Sequence, residues 1–212
     1  MTLTQLWDQL LTGLQQTTAL EYFAVVMGII SVYFSRRENI WVYPTGLANT
    51  IIYVYLSFKF HLIGEATVNF YYTVMSIWGW ILWSRRNNAN EHLLHVSFSS
   101  RKLVIEQLLF FGVLYGTIFF ALRYLKEAFY PGAIPAADAF ASATAFTGMW
   151  LMARKKVESW WWWILTNTAS VPLYFVKGLV FTSFYYCVLL VLAVLGLLEW
   201  KQRASATPTF AT

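Results

Sequence analysis

Charge is scarce in this chain. Only 12% of its 212 residues are Asp, Glu, Lys or Arg, against about 25% in soluble domains. Hydrophobic residues make up 58%, and the mean hydropathy is +0.53. A chain so composed cannot cover a water-facing surface and belongs in a bilayer. Cysteine is rarer still: Cys187, in an apolar run, is the single one, which excludes a disulfide framework and a Cys-rich metal site. The three histidines, His61, His92 and His95, lie in or beside loops and form no ligand pair on a helix. No Ser/His or Ser/Lys pair sits at matched depth in the apolar runs, and no glycine-rich phosphate loop is present, so enzymatic chemistry finds little support. The net charge of +5 is carried by short basic clusters between apolar runs, an arrangement that serves membrane topology and not nucleic-acid binding.

What is abundant is apolar sequence in lengths of about 20 residues, enough to cross a bilayer. Seven spans are predicted, at about 19–35, 39–58, 63–84, 103–123, 135–153, 157–176 and 180–200. Residues 1–18 contain no Lys or Arg to start a cleavable signal peptide. Their Leu3, Leu6, Trp7, Leu10, Leu11 and Leu14 recur at helical spacing, which predicts an amphipathic interfacial segment; a frayed terminus is the alternative. Residues 201–212 read as a cytoplasmic tail. Counting basic residues by side places eleven (Arg36, Arg37, Arg85, Arg86, Arg101, Lys102, Arg154–Lys156, Lys201 and Arg203) against four (Lys59, Arg123, Lys126 and Lys177). The positive-inside rule then puts the N-terminus outside and the C-terminus in the cytoplasm.

Internal similarity divides the spans as three, one and three. Arg36-Arg37 falls on Arg154-Lys155 and Asn49-Thr50 on Asn167-Thr168 at one offset. Gly79 falls on Gly196 and Trp83 on Trp200 at an offset one residue shorter. The fold expected is therefore an all-α integral membrane protein with two parallel triple-helix repeats, 19–84 and 135–200, joined by a linker helix at 103–123, and a site between the repeats near the midplane. Asn49 and Asn167 are expected to face each other across it.

The polar residues inside the spans are the candidate site. Asn49, Asn69 and Asn167 are amides in hydrocarbon, costly without a partner. Trp160, Trp163 and Asn167 share one helical face in the run Trp160–Asn167, whereas Trp161 and Trp162 point elsewhere and read as an interfacial belt. Trp41, Tyr53, Tyr72 and Tyr186 add flat faces for stacking and cation–π contact. Glu65 and Asp138 lie near the outer surface, where a site role and a merely interfacial one both stand; Glu106 and Glu199 read as solvated or paired with nearby cations. Together these groups describe a pocket for a small planar polar molecule, with no carboxylate cluster for a metal ion. Gly112-x-x-x-Gly116 hints at close helix packing only. A non-transporting receptor or scaffold, whose aromatics only pack, is the rival from another class; an intramembrane enzyme comes third.

The motifs Trp41-x-x-Pro44-x-Gly46-Leu47-x-Asn49, Trp78-Gly79-Trp80-x-x-Trp83 and Trp160-x-x-Trp163-x-x-x-Asn167, with Arg154-Lys155 before Val157-Glu158 and Asp138 entering the fifth span, make the chain resemble the PnuC vitamin transporters. These are bacterial inner-membrane proteins with a fold similar to SWEET transporters. The resemblance runs from about Glu21 to Trp200. It implies facilitated diffusion of nicotinamide riboside, a cationic aromatic vitamin, with trapping by a cytoplasmic kinase that need not touch the transporter. It also implies a homotrimer, a site lined by the Trp/Asn motif of the sixth helix, and no cofactor. Asn69, following Glu65, stands where members associated with nicotinamide riboside carry Gln, so thiamine is the alternative cargo.

Overall fold

The computed structural model describes residues 11–15, 17–59, 63–87, 90–129 and 132–206. Most of the expected interfacial segment, residues 1–10 and Gln16, lies outside them, as do residues 207–212 of the expected tail. The described part is all-helical, with two isolated bridges and no strand. Its long helices are α1 (Ala19–Arg36), α2 (Val42–Lys59), α3 (Ile63–Ser84), α4 (Arg101–Phe129), α5 (Pro135–Ala153), α6 (Glu158–Val176) and α7 (Val180–Ala206).

Local chemistry explains several of the ends. Thr18 and Glu21 form a reciprocal capping box that starts α1. Pro135 stands in the first turn of α5, where its missing N–H costs nothing, and Asp138 accepts from the Ile134 N–H at 2.6 Å. Gly178, at φ 76°, closes α6 in a left-handed cap, with the Leu179 N–H donating to the Tyr174 carbonyl at 2.9 Å. At the basic end α7 runs to Ala206, well into the stretch expected as tail. Arg203 holds it there, reaching Glu38 at 3.0 Å and the Arg37 carbonyl at 3.2 Å.

Packing closes the helices into a ring. Helix α1 packs on α2, α2 on α3, α3 on α5, α5 on α6, α6 on α7, and α7 back on α1; α4 lies outside against α5. The outer faces carry large exposed apolar side chains, among them Phe23, Ile51, Phe70, Leu109, Val113 and Phe184, as a lipid-facing surface requires. Among the described residues, only α1, the Arg101–Leu125 part of α4 and α7 are by length and composition apolar enough to cross a membrane. The sequence reading expects seven spans; α2, α3, α5 and α6 fall short because they carry polar residues on the faces turned into the ring.

A tight aromatic layer seals the basic end of the ring, where α1, α3, α5 and α7 finish. The Tyr43 ring meets Trp83 edge-on (5.2 Å, 85°) and lies against Gly79; the Trp160 ring meets Trp200 edge-on (5.5 Å, 88°) and lies against Gly196. Trp83 and Trp200 then touch each other at 6.1 Å. The segment between α3 and α4 folds beneath this layer. Val96 is buried in it, Ser97 pairs with the backbone of Lys155 and Val157, and the Glu158 carboxylate accepts from Ser99 N–H at 3.0 Å and Ser99 Oγ at 2.7 Å.

One of the two tryptophans expected in a belt departs from that expectation. Trp162 is not in an interfacial belt: it is buried, and its indole N–H donates to Gln107 Oε1 of α4 at 2.7 Å, so the outer helix grips α6 through a satisfied buried polar pair. Trp161 does stay exposed, with Lys201 Nζ 5.1 Å from its ring centroid. Glu199 pairs with Arg36 at 3.2 Å and Glu106 meets Lys102 at 4.0 Å.

Candidate functional site

The ring encloses a cavity of about 970 Å³, at the upper end of the roughly 300–1,000 Å³ of small-molecule pockets. It extends from Glu21, Glu65 and Asp138 at the far end of the bundle down to Tyr43, Met152 and Trp160 above the aromatic seal. All six ring helices contribute to its wall, and Thr117, Ala121 and Leu125 of the outer helix α4 line it as well.

Ten of the eleven candidate residues line this cavity: Asn167, Trp163, Trp160, Asn49, Asn69, Tyr53, Tyr72, Glu65, Tyr186 and Asp138. Trp41 does not join them. It precedes α2, outside the ring, and is 58% exposed; helix rotation carries Tyr43, two residues on, inward in its place.

Their situations differ. Asn167 is 3% exposed, and its Oδ1 has no hydrogen-bond partner among the described residues. A buried acceptor of this kind costs about 1–3 kcal/mol, a cost that a ligand donor would remove. Trp163 beside it stands half-buried, 6.1 Å from Tyr72, with its ring against Gly148. Asn49 is already engaged within its own side of the ring: its Nδ2 donates to the Ala24 carbonyl at 2.7 Å, against Gly28. Asn69 Nδ2 donates back to the Glu65 carbonyl at 2.9 Å. Asp138 is bound to Lys177 Nζ at 2.6 Å as well as capping α5, so it orders the mouth more than it offers a free charge.

Trp160 forms the floor. It is 1% exposed, and a methyl group at Gly196 would come within 2.6 Å of its ring. Its indole nitrogen and the Tyr43 hydroxyl are buried without hydrogen-bond partners among the described residues.

Several lining residues were outside the candidate set. Tyr174 stacks on Tyr186 (5.1 Å, 9°), and Tyr185 meets Tyr186 edge-on. Ser31, Ser76, Ser170 and Thr166 supply hydroxyls, Thr166 Oγ1 lying 2.9 Å from both the Trp162 carbonyl and Thr144 Oγ1. The available signal was small polar residues recurring inside apolar runs, which periodicity alone does not assign to a face.

A ring of helices, apolar outside and polar and aromatic within, around a cavity of this size defines a multi-pass membrane transporter. The family described as nicotinamide mononucleotide transporter matches residues 18–202, and the chain belongs to it. Among curated proteins it is similar to the nicotinamide riboside transporter PnuC of Escherichia coli K12, 24% identical over 87% of this chain and 86% of that one. It is also similar to the riboflavin/roseoflavin transporter RibM of Streptomyces davaonensis, 25% identical over 84% and 83%. The crystal structure of the vitamin B3 transporter PnuC superposes with a TM-score of 0.69 at 21% identity, covering 96% of this chain and 89% of that one. The fold is shared.

Proposed function

We propose that this chain carries nicotinamide riboside across the bacterial inner membrane by facilitated diffusion, its product being trapped by a cytoplasmic kinase. The observation that carries the reading is the buried Asn167 Oδ1, unpartnered among the described residues, beside Trp163 and Tyr72 in the wall of the cavity. A carboxamide N–H or a ribose hydroxyl satisfies that acceptor, and a pyridinium ring stacks on Trp163. Glu65, half-buried at the mouth, favours the positive charge. An inside-negative potential helps entry of one such charge by about 2.3 kcal/mol per 100 mV, so net uptake needs no coupling ion.

In this reading the bundle is 3+1+3: α1–α3 and α5–α7 are parallel repeats related by a pseudo-two-fold axis, with α4 as the linker. Two features support it. Exchanging α1, α2, α3 with α5, α6, α7 maps the ring's packing onto itself. The seal obeys one spacing of 117, the separation of Glu38 and Lys155: it takes Tyr43 to Trp160, Gly79 to Gly196 and Trp83 to Trp200. That spacing corrects the expected pairing of amides. Asn49 corresponds to Thr166, and Asn167 to Thr50, so Asn49 and Asn167 are not mates across the axis. The basic end faces the cytoplasm, N-terminus outside, and the assembly is a homotrimer, as the resemblance implies.

Riboflavin is the second reading. The RibM likeness is as strong as the PnuC one, and the parallel Tyr174–Tyr186 pair offers a flat face to a tricyclic ring. Side-by-side binding of nicotinamide riboside, riboflavin and thiamine to the purified protein decides between them. Saturable nicotinamide riboside binding that is lost in Asn167→Ala supports the proposal. Binding of riboflavin or thiamine alone transfers the cavity to that vitamin, and binding of none refutes a vitamin transporter.

A further inference from the structure

The basic end of the ring holds more than packing. Glu38 and Lys155 occupy corresponding turns, α1 to α2 and α5 to α6, and both are non-glycine residues in the left-handed region, at φ 60° and 52°. Such residues persist only where the surroundings over-determine them. Here the surroundings are each other: Lys155 Nζ meets Glu38 Oε1 at 2.6 Å, with the lysine side chain 4% exposed and its ammonium 4.6 Å from the Trp83 ring centroid. Arg203 braces the other Glu38 oxygen at 3.0 Å.

The indoles beneath the cavity cross over in the same sense. Trp83 of α3 donates to the Ala153 carbonyl of α5 at 3.2 Å, and Trp200 of α7 shares its N–H between the Arg36 carbonyl of α1 at 3.1 Å and the Ser35 carbonyl at 3.2 Å. Ala153 stands 117 residues from Arg36, the same separation as Glu38 and Lys155. Each three-helix group thus bonds the other at its cytoplasmic end through corresponding atoms. Opposing these bonds are the Tyr43 hydroxyl and the Trp160 indole nitrogen, also corresponding, which are buried without partners among the described residues and would regain water if the layer parted.

From this arrangement we infer that the cytoplasmic end is a gate, held shut by the Glu38–Lys155 pair and the crossed indole bonds and biased towards opening by the two unpartnered polar groups. The inference rests on the transporter reading and adds the device that releases cargo inward. It makes two substitutions act in opposite directions: Lys155→Met removes the lock while keeping an apolar stem over Trp83, and Tyr43→Phe removes only the hydroxyl that favours opening.

The test is cysteine accessibility. Ser76, buried and lining the cavity, becomes cysteine in a Cys187→Ser background. Labelling is by a membrane-impermeant thiol reagent applied to inside-out vesicles, and a Ser205→Cys control reports the face presented. Lys155→Met is expected to speed labelling about tenfold, the effect of about 1.4 kcal/mol, and Lys155→Arg to leave it near the parent rate. Tyr43→Phe is expected to slow labelling several-fold, and to slow it again when added to Lys155→Met, which simple loosening of the fold does not predict. Equal labelling of Lys155→Met and the parent, or faster labelling with Tyr43→Phe alone, overturns the gate. Failure of the transporter reading shows separately, as absence of nicotinamide riboside, riboflavin and thiamine flux in liposomes while the labelling pattern stands.

Discussion

Gly196→Ala puts the packing of the cavity floor to a quantitative test. On an exposed helix the change would stabilise by about 0.5–1 kcal/mol, since alanine loses less backbone freedom on folding. In α7 the added methyl arrives 2.6 Å from three atoms of the Trp160 ring. That ring has no room to retreat, being 1% exposed and wedged edge-on against Trp200. Overpacking of a rigid core costs about 1–3 kcal/mol, so the net effect is a loss of roughly 1–2 kcal/mol. For a chain of this length that lowers the melting temperature by about 2–8 °C, readable by thermal unfolding in detergent. Gly79→Ala should behave alike, because its methyl meets the Tyr43 hydroxyl at 2.6 Å. Gly112→Ala and Gly116→Ala are the built-in controls: nothing lies within 4 Å of either added carbon, so neither should lower the melting temperature of the monomer. A Gly196→Ala protein as stable as the parent would refute the close ring-on-backbone approach and, with it, the correspondence of the two halves of the seal.

Three further outcomes are expected. Asn167→Ala and Trp163→Ala should abolish ligand binding by calorimetry while shifting the ligand-free melting temperature much less than Gly196→Ala; retained binding removes them from the site. Gln107→Leu strands the buried Trp162 N–H and should cost about 1–3 kcal/mol, whereas removing both partners in Gln107→Leu/Trp162→Phe should restore much of the loss, as a double-mutant cycle on thermal stability will read. Burial in the α5–α6 turn lowers the pKa of Lys156, partly offset by Glu158. The native state therefore releases this proton before the unfolded chain does. Stability should rise with pH from the lowered native pKa up to about 10.4, the unfolded value. Lys156→Gln should flatten that rise in a pH series of melting temperatures.

Much of the molecule was legible in one dimension because bilayers constrain composition. Apolar runs, basic clusters and turn residues locate most helix ends to within three residues, since backbone groups in hydrocarbon must bond within their own segment; α4 and α7 run about six residues past the expected ends, to Phe129 and Ala206. The amides of Asn49, Asn69 and Asn167 stood out for the same reason: a polar group there demands a partner. What periodicity left open was rotation. Trp41 and Tyr43 are two residues apart, and packing of α2 alone turns the second inward and the first out. Trp162 reads as a belt residue until Gln107, 55 positions away, supplies the acceptor that lets its indole be buried. The two offsets of the internal similarity differ by one residue, which on a helix is a rotation of about 100°. Contacts at Gly79, Gly196, Trp83 and Trp200 favour the shorter one, and under the proposed repeat Asn167 then has a threonine as its counterpart. Composition and spacing thus determined that this chain is a bundle of membrane helices with a polar interior. Which side of each helix faces that interior, and which end of it is sealed, was decided by tertiary packing, because only contacts between distant segments select one rotation among those the pattern allows.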